Sequence, residues 1–92
     1  MNTTAATWTA TVAVRVPERA DGDLASCACR RLKTARAVRA VEVRRLRTVE
    51  PGLSATVVTL EVSVDAPGAD GATVEQQLAD APGTETVEEV RR

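Results

Sequence analysis

The chain has 92 residues, 12 cations against 13 carboxylates and no histidine, so it is long enough for one core and too short for a catalytic domain beside a second one. Its apolar residues are mostly small, 16 Ala and 14 Val against 6 Leu, one Met and one Trp, with no Ile, Phe or Tyr; at roughly 25 cal/mol per Å² such a core leaves an isolated monomer marginal. The missing imidazole excludes histidine acid–base catalysis, a Ser-His-Asp triad and every histidine-containing zinc site.

The first periodic segment is Thr7 to Val16, where Trp8, Ala10, Val12, Val14 and Val16 alternate with Thr7, Thr9, Thr11, Ala13 and Arg15. Period two over ten residues predicts a strand with one buried face. Pro17 stops it, and Asp21-Gly22-Asp23 signals a helix start. From there the spacing changes to that of a helix, predicted over Asp23 to Arg36, with Leu24, Cys27, Ala28, Leu32 and Ala35 on one side and Arg30, Lys33 and Arg36 outward.

Val38 to Val49 has strand composition but broken alternation: Val41 and Val43 share a face while Leu46 has the opposite parity, which a bulge near Arg44-Arg45 would repair. Pro51-Gly52 is a turn. Val58, Leu60, Val62 and Val64 then alternate with Thr59, Glu61, Ser63 and Asp65, a strand paired as a hairpin to the one before. After the Pro67-Gly68 punctuation, Thr73 with Gln76 reads as a capping box opening a short second helix that ends before Pro82-Gly83. Val87 and Val90 belong to a short final strand, in which Glu88 and Glu89 are expected on opposite faces.

The order strand, helix, strand, strand, helix, strand in a single domain over residues 1–92, with its ordered core at about 7–91, predicts an α+β fold: a ferredoxin-like βαββαβ sandwich, its four-stranded antiparallel sheet carrying both helices on one face. A strand-swapped version of the same unit competes with it. No apolar run approaches the 18 residues of a membrane span, and the threonine-rich start lacks the features of an export signal. The expectation is a cytoplasmic protein with reduced thiols. Arginine outnumbers lysine 11 to 1, a bias of GC-rich or salt-loving hosts.

Charge is segregated along the chain. Arg30, Arg31, Lys33, Arg36, Arg39, Arg44, Arg45 and Arg47 stand against Glu42 alone in residues 30–47, whereas residues 48–90 hold nine carboxylates and no cation. A basic stretch raises nucleic-acid binding, but a ferredoxin-like RNA binder stacks bases on aromatic side chains and this chain has one. The open sheet face, read as Thr9, Thr11, Glu61, Ser63 and Asp65, is neutral to acidic, the wrong sign for phosphate. The blander expectation is that the charges face solvent; the sharper one is that the basic surface of one copy meets the acidic surface of another.

Cys27 and Cys29 lie about 200° apart on a helix, so Cys27 faces the core and Cys29 points away, and the two cannot share a metal or a disulfide unless that turn unwinds. No phosphate-cradling loop, dinucleotide fingerprint or nucleophile elbow is present. Asp21 and Asp23 read as caps. No cofactor and no metal are expected.

Val16-Pro17-Glu18, Asp23-Leu24, Gly52-Leu53-Ser54-Ala55, Ala79-Asp80, Gly83, Val87 and Arg91-Arg92 together resemble the archaeal beta-type translation elongation factor family. That family is ferredoxin-like and catalyses guanine-nucleotide exchange on the alpha elongation factor, so the resemblance implies that Gly52 and Leu53 sit in a partner-contacting loop. The chain departs from the family where Pro51 replaces a phenylalanine and where the first helix is basic rather than acidic.

These readings converge on a non-catalytic domain acting by protein association, as a homodimer or with a protein partner. Its expected contact residues are Arg30, Arg31, Lys33, Arg36, Arg44, Arg45 and Arg47, with Gly52 and Leu53. A diverged exchange factor and a regulatory small-molecule domain are the alternatives.

Overall fold

A computed structural model describes residues 7–17, 23–34 and 38–92. The elements run β1 (Thr7–Pro17), α1 (Leu24–Leu32), β2 (Ala40–Pro51), β3 (Ala55–Asp65), α2 (Gly71–Asp80) and β4 (Thr84–Arg91). The sheet order is β2-β3-β1-β4 with every neighbouring pair antiparallel, and two helices accompany it, which is the ferredoxin-like α+β arrangement.

The alternation in β1 and β3 does what its period dictates. Trp8, Ala10, Val12, Val14 and Val16 are buried, as are Val58, Leu60, Val62 and Val64, because the in-register ladder from Thr7↔Asp65 to Pro17↔Ala55 puts both apolar sets on one side. The helices close that side. Cys27, Ala28 and Leu32 of α1 and Val74 and Leu78 of α2 join the strand residues in one cluster, and no polar or charged residue is buried among the described residues.

Both helices begin at an aspartate. Asp23 accepts the Ser26 amide at 2.7 Å and Asp70 accepts the Thr73 amide at 2.8 Å, satisfying donors that a first turn leaves open. The expected Thr73–Gln76 box is corrected by Asp70, three residues earlier, whose carboxylate caps the helix and makes Thr73 its third residue. The expected extent of the first helix is also corrected: Leu32 is its last residue and Lys33 its C-cap. Ala35 and Arg36 lie outside the described residues, as does Asp21.

The edge strands depart from simple alternation, and in both cases bulges are the reason. In β2 the register slips between Val43 and Arg45, where a bulge was expected, and again between Leu46 and Thr48. Each slip sets two residues of β2 against one of β3, so Val43, Leu46 and Val49, three apart, pair with Val62, Leu60 and Val58 on the helix side. In β4 the register slips between Thr9↔Arg91 and Thr11↔Glu88, and Glu89 there has φ 54°. Val87 and Val90, also three apart, both pack against the core. The expectation that Glu88 and Glu89 project to opposite faces is corrected by this bulge: Glu88 stands opposite Thr11, and Glu89 accepts the Thr11 hydroxyl at 3.1 Å.

Candidate functional site

The helices cover one face of the sheet and leave the other open. Threonine and serine predominate in its centre, on β1 and β3, where Arg15, Glu61 and Asp65 also stand, and further charges line its edges. Cross-strand register arranges these residues in rows. One row reads Arg45, Glu61, Thr11, Glu88 from β2 to β4; the next reads Glu42, Ser63, Thr9, Arg91. The first row is basic at the β2 edge and acidic at the β4 edge, and the second is reversed. Arg44 and Arg47 add positive charge to β2 against one further carboxylate, Glu50, and Glu85 and Glu89 add negative charge to β4, so β2 is the more basic edge and β4 the more acidic. Three interstrand spacings, about 14 Å in all, separate the two.

Along the middle of this face runs an open trough of about 590 Å³, with Thr9, Thr11 and Ser63 on its floor and Arg44, Glu89 and Arg91 among its walls. The face was expected to be neutral to acidic; Arg44 and Arg91 correct that to mixed sign. Arg47 donates to Glu61 at 2.6 Å, and Arg39 donates to Asp65 through Nε at 2.8 Å. These pairs are partly solvated and contribute little stability on their own.

The expected contact residues fall in three places. Arg44, Arg45 and Arg47 lie on β2, with Arg44 lining the trough. Arg30, Arg31 and Lys33 lie in the helix layer, on the other side of the sheet; Arg31 approaches the turn at Gly83 rather than β2. Arg36 lies outside the described residues. Gly52 and Leu53 form the β2–β3 turn, where the Gly52 amide donates to the Ala55 carbonyl at 2.8 Å. Leu53 is wholly exposed, and the same end of β2 leaves Leu46 and Val49 48% and 41% exposed.

Cys27 is buried, and Cys29 is half-buried rather than pointing away. Its thiol donates to the Val41 carbonyl at 3.3 Å, since α1 packs over β2 as well as over the sheet centre. Among the described residues no group of three or more cysteines and carboxylates is placed to hold a metal ion, and no helix is long and apolar enough to cross a membrane. The Asp23 and Asp70 carboxyls are held below their ordinary value of 3.8 by the backbone amides of Ser26 and Thr73 that they accept.

Sequence reasoning missed that Arg45 shares a row with Glu88, and Glu42 the next row with Arg91. The signal was there, in the apolar spacing of three within Val43, Leu46 and Val49 and within Val87 and Val90. In a strand that spacing means a bulge, and the bulges set which charges share a row. Comparison with known proteins returned no match to a family model, a curated protein or a solved structure.

Proposed function

We propose that this chain is a small, non-catalytic association domain of the cytoplasm and that its partner is a second copy of itself. One observation carries the reading: Arg44, Arg45 and Arg47 stand on β2 and Glu85, Glu88 and Glu89 on β4, the opposite edges of a sheet whose outer face no described element covers. Complementary fields of this kind steer association and fix register more than they add raw affinity. The composition of the core supports it too. Among the described residues only Leu32, Leu60 and Leu78 exceed valine in size among the fully buried side chains, so association linked to folding raises the stability of a domain that burial alone leaves marginal.

Sedimentation of the purified chain tests this reading at about 0.1 M and about 1 M salt, where the Debye length is about 10 Å and 3 Å. A dimer at micromolar concentration that weakens in high salt is expected. A monomer in both conditions defeats the reading.

A second reading draws on the exposure of Leu53 at the β2–β3 turn. A fully exposed leucine beside Gly52 suits contact with another protein, as the exchange-factor resemblance implies. Acceleration of labelled GDP release from an alpha-type elongation factor is the outcome that supports it, and no acceleration at stoichiometric protein ends it.

A further inference from the structure

We infer that the self-association surface is the uncovered sheet face, and that two copies meet there across a two-fold axis running parallel to the strands. This rests on the homodimer reading above and gives it a surface and an operator.

The edges themselves are poor candidates. A closed dimer through one edge is isologous, β2 on β2 or β4 on β4, and either choice brings the more basic edge onto itself or the more acidic edge onto itself. Pairing β2 with β4 is complementary but heterologous, so it leaves a free edge on each side and propagates. Both edges also carry features that discourage strand addition: bulges in each, Pro51 at the end of β2, and the positive φ of Glu89 in β4.

Stacking the open faces removes most of the conflict, leaving Glu50 near the partner's Glu85 at the turn end as the like-charge approach. A two-fold axis along the strands, passing between β3 and β1, reverses the strand order of the second copy over the first. β2 then lies over the partner's β4, and β3 over its β1. Levels along the strands are unchanged, so each row meets its own reverse. Arg45 faces the partner's Glu88, and Glu42 faces the partner's Arg91. In the centre Glu61 lies over the partner's Thr11 and Ser63 over its Thr9, so neither of these rows opposes like charges. The contrary signs of the two rows make the match selective, because a slip of one row along the strands sets Arg45 on Arg91 and Glu42 on Glu88.

A two-fold axis across the strands also matches four of these charges, placing Arg45 on Glu42 and Glu88 on Arg91. It stacks β2 on β2, however, which sets Arg44, midway between the two rows, against itself. The axis along the strands sets Arg44 against the side of the partner's β4 that carries Glu89 instead.

The dimensions are adequate for a modest dimer. Strands about 4.8 Å apart and about 3.3 Å per residue give a face on the order of 600 Å² per copy, and roughly 1,200 Å² buried in total is the lower end of stable interfaces. The trough along the centre of the face concentrates contact on the edges, where Arg45, Glu42, Glu88 and Arg91 stand.

Charge reversal tests the surface and the axis in the intact chain, with dimer dissociation measured by sedimentation at about 0.1 M salt and folding checked by circular dichroism. Arg45→Glu places two repulsive contacts in each dimer and is expected to weaken it roughly tenfold or more, Glu88→Arg likewise, and Arg45→Glu with Glu88→Arg to regain most of the loss. Glu42→Arg with Arg91→Glu is an independent pair with the same expectation. Arg45→Glu with Glu42→Arg is expected to be weaker than either single variant; rescue by that combination overturns the axis along the strands. A dimer indifferent to every reversal overturns this surface while leaving self-association standing, whereas a wild-type monomer throughout overturns both.

Discussion

The two faces of the sheet are built from the same strands by the same period of two, yet they are specified differently. On the helix side the specification is chemical: apolar residues stand where the alternation places them, and burial of Val12, Val14, Leu60 and Val62 holds the register. On the open side it is positional. No residue type there marks a site, and the order lies in which charge shares a row with which, a property that exists only once β2 and β4 are set against their neighbours. The difference teaches that in a chain without catalytic side chains, information for recognition can reside in register rather than in composition.

The largest way to break the contrast is to truncate one face and then the other. Leu60→Ala opens a cavity among fully buried side chains and is expected to cost about 2–5 kcal/mol, enough to abolish a cooperative melt in so small a domain. Ser63→Ala, on the opposite face of the same strand, is expected to stay within about 0.5 kcal/mol in the monomer. Comparable losses from the two in chemical denaturation would show that the open face is structural after all.

Gly83 marks where β4 is fixed to the sheet, and hence where the acidic edge is placed. Its φ is +86° and a Cβ there would stand 2.9 Å from the Arg15 carbonyl oxygen, while the Arg15 amide donates to the Gly83 carbonyl at 2.7 Å. Gly83→Ala is therefore expected to destabilise by roughly 1–3 kcal/mol, read as a lowered denaturation midpoint.

Smaller effects sharpen the comparison. Asp70→Ala removes the α2 cap on the covered side, and its consequence is tied to pH. The folded carboxyl titrates below its ordinary value because the Thr73 amide stabilises the charged form. Its contribution is thus fully present above that ordinary value and is lost as pH falls through the depressed folded value. Melting curves should show wild type above Asp70→Ala near neutrality, with the gap closing below about pH 4; a gap that persists in acid would remove the capping account. Smallest of all, Arg47→Ala deletes a half-exposed pair with Glu61 and should change monomer stability by no more than about 1 kcal/mol in double-mutant cycles.

The sequence made the helix side of the molecule readable, because alternation and helical spacing report burial directly. β1, β3 and the fold class follow from Trp8 to Val16 and Val58 to Val64, and Asp23 is recognisable as a cap. The cap of α2 was misread because Thr73 and Gln76 match a capping pattern by spacing while Asp70 wins by position. The open face was legible as residues but not as pairs. Glu88 and Glu89 could not be placed without the bulge at Glu89, nor could Arg45 be matched to Glu61, Thr11 and Glu88 before the slip after Val43 was known. The exposure of Leu46 and Val49 was hidden for a different reason: apolar spacing tells which side of a strand a residue faces, not whether anything packs over it there.

The two irregularities in β2 also bear on how its length can drift over evolutionary time. Each accommodates one surplus residue without reassigning the side chains on either flank, so losing Arg44 or Arg47 would shorten the strand and still leave Val43, Leu46 and Val49 beneath the same neighbours. Homologous chains should therefore tolerate single-residue gaps at these two points, and an aligner that forbids them would place every downstream arginine one column out of step.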